Sequence, residues 1–408
     1  MTTFVTCLFV LTYLGMAAGR APGLKLDRTG IALIIAVLLV ATEALPTEDV
    51  ADTIHFPTLL LLAGLMVLSA RFRAAGLYDH SAAWIGRQSA RPLRLLALTI
   101  AVGGILSAIL INDIVVFAMT PILCTSLASR GLDARPYLFG LAAASNAGSA
   151  ATLIGNPQNV LIGQVGQLDF WRYALVAVVP AAVALLITFV CIAVVWRPVL
   201  KSEPGPARNV DAPMDLASIG LCFAALVALL VLFATPLPRE VSALLVAGGL
   251  LLSRTVPTRQ LLDEIDVPLL ILFASLFVIN GAFSSTGLPQ HIMDQISASG
   301  ASPDRALFLA PFSLVASNTI GNVPAVMLLL EVWKGIPEGT LVALAILSTL
   351  SGNLLLVGSL ANLIVAERAA VSGLRLTFKD HARAGIPIAV VSVAFASLWL
   401  WVFGLIPM

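Results

Sequence analysis

Nearly the whole chain reads as apolar stretches of about 20 residues joined by short polar loops. A stretch of that length and composition has one dominant solution, a helix that crosses a lipid bilayer. In hydrocarbon each backbone N–H and C=O must be satisfied within the protein, so such a chain folds as a helical bundle. Only 11% of its 408 residues are charged, against 59% hydrophobic, too few charges to cover a soluble surface of this size. The net charge of +1, without a basic tract, excludes a nucleic-acid partner. Cys7, Cys124, Cys191 and Cys222 lie scattered in apolar segments without paired or metal-ligand spacing, so they read as small core residues and imply no cofactor.

The fold class expected is an all-α polytopic membrane protein with ten spans. Five fall near 2–19, 30–47, 57–73, 136–168 and 173–197, and five near 214–235, 239–254, 266–283, 340–368 and 385–406. Two further apolar stretches, 93–130 and 305–335, are interrupted by polar residues and carry charge on both flanks, the pattern of a re-entrant helical hairpin. Ala17-Ala18-Gly19 resembles a signal-cleavage site. No positive charge precedes the apolar stretch, however, and Arg20, Lys25 and Arg28 follow it, which suits a retained first helix with its N-terminus outside. With that orientation only Arg172, Arg239, Arg305 and Lys334 of the 23 basic residues fall outside, as the positive-inside rule favours. Both termini are then expected outside a cell inner or plasma membrane.

The two halves echo one another. Gly76-Leu77-Tyr78-Asp79-His80 recurs as Gly287-Leu288-Pro289-Gln290-His291, Asn112 is matched by Asn322, and Leu153-Ile154-Gly155 through Asn159 by Leu356-Val357-Gly358 through Asn362. Three echoes in one order, in halves of five spans each, imply two inverted-topology repeats. The expected division is 1–198 (hairpin 93–130, broken helix 136–168), a cytoplasmic linker 199–213, and 214–408 (hairpin 305–335, broken helix 340–368).

Polar interruptions at membrane depth mark the candidate site. Irregular backbone is tolerated there only inside protein or beside a watery cavity. The clusters are Asn112-Asp113, Ser145-Asn146 through Gly155-Asn156 and Asn159, Ser317-Asn318 through Asn322, and Ser351 with Asn353, Gly358 and Asn362. Freed carbonyls with Asn and Ser oxygens suit Na⁺, and exposed helix N-termini suit an anion. Asp113 alone places an acid near a hairpin tip, as a proton carrier or a cation ligand. No catalytic residue is expected: His55, His80, His291 and His381 fall in loops or near span ends, and no His-Glu-x-x-His or Gly-x-Ser-x-Gly pattern occurs.

Ser145-Asn146-Ala147-Gly148-Ser149 through Asn159, with Asn322-Val323-Pro324-Ala325 and Ser107 through Asn112, resembles the signature of the ion transporter superfamily. That group comprises divalent anion–sodium symporters, citrate transporters, arsenite permeases and one class of sodium–proton antiporters. The resemblance implies that paired hairpin tips and unwound helices enclose the coupling-ion and substrate sites, in a homodimer whose hairpin-bearing domain moves like an elevator. It implies a small inorganic or organic anion as substrate and Na⁺ or H⁺ as coupling ion, with Asn112, Ser145, Asn146, Gly155, Asn322 and Gly358 as the Na⁺ candidates. The dicarboxylate symporters of the group carry Ser-Asn-Thr at both tips, where this chain has Ile111-Asn112-Asp113 and Gly321-Asn322-Val323. Its antiporters tend to have an acid where this chain has Asn156. A Na⁺/H⁺ antiporter using Asp113 and a metalloid efflux permease stand as the alternatives.

Overall fold

Short polar residues at the loop ends start the helices. Asp27, Asp169, Asp215, Asp266 and Thr377 each accept a backbone N–H of the first turn that follows. Pro57, Pro92, Pro136, Pro157 and Pro268 sit at the first or second helical position, where the missing N–H costs nothing. The computed structural model describes residues 1–18, 25–88, 91–201, 205–206, 212–252, 255–291, 295, 303–333 and 335–408. Arg20, Arg208, Arg254, Lys334 and most of the expected linker 199–213 lie outside the described residues.

In chain order the described α-helices longer than five residues are α1 (Thr2–Ala18), α2 (Arg28–Ala41), α3 (Phe56–Ala74), α4 (Leu77–Arg87), α5 (Pro92–Ile109) and α6 (Asn112–Ala128). They continue with α7 (Arg135–Ser149), α8 (Pro157–Val165), α9 (Phe170–Val195), α10 (Leu216–Leu232) and α11 (Arg239–Leu251). The remainder are α12 (Val267–Ser284), α13 (Ala306–Thr319), α14 (Asn322–Val332), α15 (Glu338–Ser351), α16 (Leu360–Val371) and α17 (Phe378–Val402). No strand occurs among the described residues. Helices α3, α5, α9, α12 and α17 are long and apolar enough to cross a bilayer. Among several shifted boundaries, two move furthest. The 30–47 span ends at Ala41, where Glu43 takes a left-handed φ of 55° ahead of Pro46. The 385–406 span begins earlier, at Phe378, because Thr377 caps it.

The helices sort into two packed groups. Helix α3 lies on α11 and α12 on α2, with α10 and α1 beside them. In the other group α5 packs on α7, α13 on α15, α6 on α16, and α9 on α17. Outward faces expose large apolar residues such as Leu175, Val194, Leu216 and Val231, as a lipid-facing surface requires. Helices α7, α8 and α15 are buried almost all round. These are the helices that carry the polar interruptions, so those residues lie in the centre of the bundle.

Candidate functional site

Helix α7 stops at Ser149 and α8 starts at Pro157, which leaves the last carbonyls of α7 without helical partners. Asn159 collects them. Its Nδ2 donates to the carbonyls of Ser149 (3.3 Å) and Thr152 (3.1 Å) and to Tyr173 Oη (3.2 Å). The second interruption separates α15 from α16, and Asn362 Nδ2 donates to the carbonyls of Gly352 (2.9 Å) and Leu355 (3.2 Å). Each Asn thus reaches back across its break to the same two relative positions. Asn156 and Ser359, one turn earlier, cap α8 and α16 through Asn159 N (2.9 Å) and Ala361 N (3.2 Å).

The side chains also bind across the halves, and reciprocally. One constant shift in sequence carries Asn146 onto Thr349, Asn156 onto Ser359 and Asn159 onto Asn362. Asn146 Nδ2 donates to Asn362 Oδ1 (3.2 Å), and Thr349 Oγ1 donates to Asn159 Oδ1 (3.1 Å). Ser359 Oγ donates to Asn146 Oδ1 (2.8 Å), and Asn156 Nδ2 to Thr349 Oγ1 (3.3 Å). Both pairs keep their partners when the halves are exchanged. Asn146 Nδ2 also donates to Asn353 Oδ1 (2.8 Å), Asn353 Nδ2 to Ala143 O (3.2 Å) and Gln158 Nε2 to Thr349 Oγ1 (3.2 Å). No charged side chain takes part in these bonds.

The interrupted pairs α5–α6 and α13–α14 dock on these breaks. Asn112 N donates to Gly155 O (3.0 Å), Ser145 Oγ to Asn112 O (3.4 Å), and Thr152 Oγ1 to Ala108 O (2.6 Å). In the other half Ser317 Oγ donates to Ser348 O (3.4 Å) and Asn318 Nδ2 to Ser351 O (2.8 Å), while Leu355 N donates to Asn318 Oδ1 (3.0 Å). The approach needs glycine twice. A Cβ on Gly155 would lie 2.8 Å from Ser107 O, and one on Gly358 would overlap Asn318 Oδ1. Around these breaks four buried oxygens have no hydrogen-bond partner among the described residues: Asn112 Oδ1, Asn322 Oδ1, Ser107 Oγ and Ser351 Oγ. Oxygens of this kind suit a cation or a donor-bearing solute.

The sequence-derived set therefore gathers in one place, with one exception. Asn112, Ser145, Asn146, Gly155, Asn156, Asn159, Ser317, Asn318, Ser351, Asn353, Gly358 and Asn362 meet through the bonds and close approaches above. Asn322 joins them through its Nδ2, 3.0 Å from where a Cβ on Gly352 would sit. Asp113 stands apart. It is half-buried and forms no hydrogen bond with the described residues. Sequence reasoning did not single out Thr349 or Ser359 as ligands, although both lie within polar clusters. Tyr173 and His381 were missed outright, since a lone Tyr or His in an apolar helix has no pattern to betray it. Arg28 reaches the second hairpin, its Nη1 3.6 Å from a Cβ placed on Gly321, a proximity that no local sequence signal foretells.

Residues 9–340 match the model of a family described as citrate transporters. An uncharacterized transporter of Mycobacterium tuberculosis, Rv2685, is 26% identical over 98% of this chain and 98% of its own length. The silicon efflux transporter LSI3 of rice (Oryza sativa subsp. japonica) is 26% identical over 91% of this chain and 92% of its own. Among solved structures, the YdaH transporter of Alcanivorax borkumensis shares the fold with a TM-score of 0.56 at 14% identity, covering 100% of this chain and 99% of that one.

Proposed function

The chain belongs to the citrate transporter family, and from that premise we infer that it moves a small anion across the membrane, coupled to Na⁺ or H⁺, by alternating access. The observation that carries this reading is the pair of unpartnered buried oxygens at matching hairpin positions, Asn112 Oδ1 and Asn322 Oδ1, beside two breaks rich in carbonyls. Neutral oxygens cannot neutralise an anion but can hold a cation, and the cation together with amide N–H groups can hold the anion. The reciprocal bonds between Asn146–Asn362 and Thr349–Asn159 support two inverted repeats, 1–198 and 214–408, each with a re-entrant hairpin and an unwound helix. The central amides and hydroxyls move with the hairpins in this reading, against the framework of α1–α3 and α10–α12. In the orientation favoured by the basic residues, the Arg28 end is cytoplasmic.

A second reading rests on the absence of charge in the network together with the likeness to a silicon efflux transporter. Silicon in neutral water is an uncharged hydroxide, and amides and hydroxyls are its natural partners. The antiporter alternative has less support, because Asp113 stands outside the hydrogen-bonded set.

Thermal unfolding of the detergent-purified protein separates these. A ligand at 100 times its Kd stabilises the folded state by about 2.7 kcal/mol. Na⁺ against choline is expected to raise Tm, and citrate or another small anion to raise it further only when Na⁺ is present. Stabilisation by silicic acid without a cation requirement would overturn symport in favour of metalloid efflux. Stabilisation by Na⁺ that protons oppose and no anion enlarges would favour the antiporter.

A further inference from the structure

The two breaks are fastened by equivalent residues of unlike chemistry. Tyr173 is the fourth residue of α9 and His381 the fourth of α17. Tyr173 Oη donates to Ala150 O at 2.9 Å, and His381 Nε2 donates to Asn353 O at 3.1 Å. The shift that carries Asn159 onto Asn362 also carries Ala150 onto Asn353, so both side chains hold the same carbonyl of their respective halves. That carbonyl is one of those that each helix releases where it ends. Both donors are buried, with Tyr173 1% and His381 3% exposed. The His381 ring is further fixed by the edge of Phe139, 5.7 Å away.

Each fastener leads into the central network by one further link. Tyr173 Oη accepts from Asn159 Nδ2, and the Asn353 held by His381 offers its own Oδ1 to Asn146. We propose that Tyr173 and His381 are paired positioning residues that fix the shape of the two helix breaks, and through it the affinity of the transport site, without touching the transported species. This rests on reading the breaks as the transport site. The pairing is unequal. Tyr173 grips both the carbonyl and the Asn159 amide, whereas His381 grips the carbonyl alone, so the second break has the looser hold.

The test uses the full-length protein in nanodiscs and three variants. His381→Leu removes the donor and keeps an apolar bulk; His381→Gln replaces the Nε2–H with an amide N–H of similar reach; Tyr173→Phe removes only the hydroxyl. Hydrogen–deuterium exchange is followed in peptides spanning 149–157 and 352–360. Losing one such bond is expected to speed exchange at its own break by about 5- to 10-fold. His381→Leu therefore accelerates 352–360 and spares 149–157, Tyr173→Phe does the reverse, and His381→Gln stays within about 2-fold of the unmodified protein. Citrate uptake into proteoliposomes by the same variants should show a raised KM with near-normal rate at saturation. Unchanged exchange at both breaks, or acceleration spread evenly over α15 to α17, would overturn the proposal. The exchange readout needs no substrate. An unmodified protein that moves no citrate but shows the local exchange pattern would count against the proposed anion transport and leave the fastening intact.

Discussion

Asn146 bonds across the halves with both ends of its amide. The nitrogen serves Asn353 and Asn362, and the oxygen accepts from Ser359. Replacing that nitrogen by oxygen changes almost no volume, so Asn146→Asp isolates the electrostatics. A carboxylate would set oxygen against the Oδ1 atoms now 2.8 and 3.2 Å away, and would leave both without a donor. A buried, uncompensated polar group costs about 1–3 kcal/mol, and more when charged. Asn146→Asp should lower Tm at pH 7 more than Asn146→Ala does, and the gap should narrow as acid protonates the new carboxyl and restores a donor. Differential scanning fluorimetry across pH reads this directly. Equal Tm values for both variants at every pH would show that Asn146 fills space and nothing else. Asn112 makes a useful contrast, since its Oδ1 has no partner among the described residues. Asn112→Ala should leave stability nearly untouched in the absence of a cation and abolish any Na⁺-dependent rise in Tm.

At the scale of elements, each hairpin sits on a break through a glycine. An alanine Cβ at Gly155 would meet Ser107 O at 2.8 Å, and at Gly358 it would run into the Asn318 side chain. The first clash is with backbone, which must move as a unit; the second is with a side chain, which can shift at the expense of its own bonds to Ser351 O and Leu355 N. Gly155→Ala should therefore destabilise by about 1–3 kcal/mol through overpacking, and Gly358→Ala by less. Thermal unfolding of both variants checks the order, and the reverse order would place the rigid contact in the other half. Both glycines were legible in the sequence, because a break inside a buried helix needs residues that satisfy or release backbone, and the Gly-x3-Asn spacing displays them. The helix starts at Asn112 and Asn322 were legible for the same reason, from apolar runs split at those residues. What could not be read is any partnership that depends on which helix lies beside which. Tyr173, His381 and Thr349 act through neighbours far along the chain, and Arg28 meets Gly321 only because α2 and the α13–α14 turn lie side by side. Asp113 lies outside the hydrogen-bonded set, and its place near a tip does not reveal this, because its sequence neighbours say nothing of which side chains it faces.

The whole molecule is less symmetric than its centre, and that asymmetry carries a statement about state. Arg28 opens α2 and Arg239 opens α11, matching positions in the two proposed repeats, yet they hold different things. Arg28 reaches the hairpin turn at Gly321, whereas Arg239 Nη2 donates to Gly163 O (2.7 Å) near the end of α8, next to the bond from Gln164 Nε2 to Glu240 Oε2 (3.2 Å). The framework follows suit, with α12 packed on hairpin helix α14 and α3 packed on the broken helix at α8. An inverted-repeat molecule halfway through its cycle would present matching contacts at both ends. Here the second hairpin turn lies at the end where Arg28 opens α2, which is the cytoplasmic end in the proposed orientation. Site-directed labelling tests state and orientation together. Once Cys7, Cys124, Cys191 and Cys222 are replaced, Thr319→Cys at the second hairpin turn and Gln167→Cys after α8 both offer exposed thiols. A membrane-impermeant maleimide should reach Thr319→Cys from the cytoplasmic side and Gln167→Cys from the outside. Adding Na⁺ with citrate should slow labelling at Thr319→Cys by about 10-fold, if the ligands shift the resting population by about 1.4 kcal/mol. Labelling of Gln167→Cys from the cytoplasm alone would invert the orientation. Labelling of Thr319→Cys from the outside alone, with Gln167→Cys as expected, would show that the hairpins rest facing outward and that the contact between Arg28 and Gly321 belongs to a minor state.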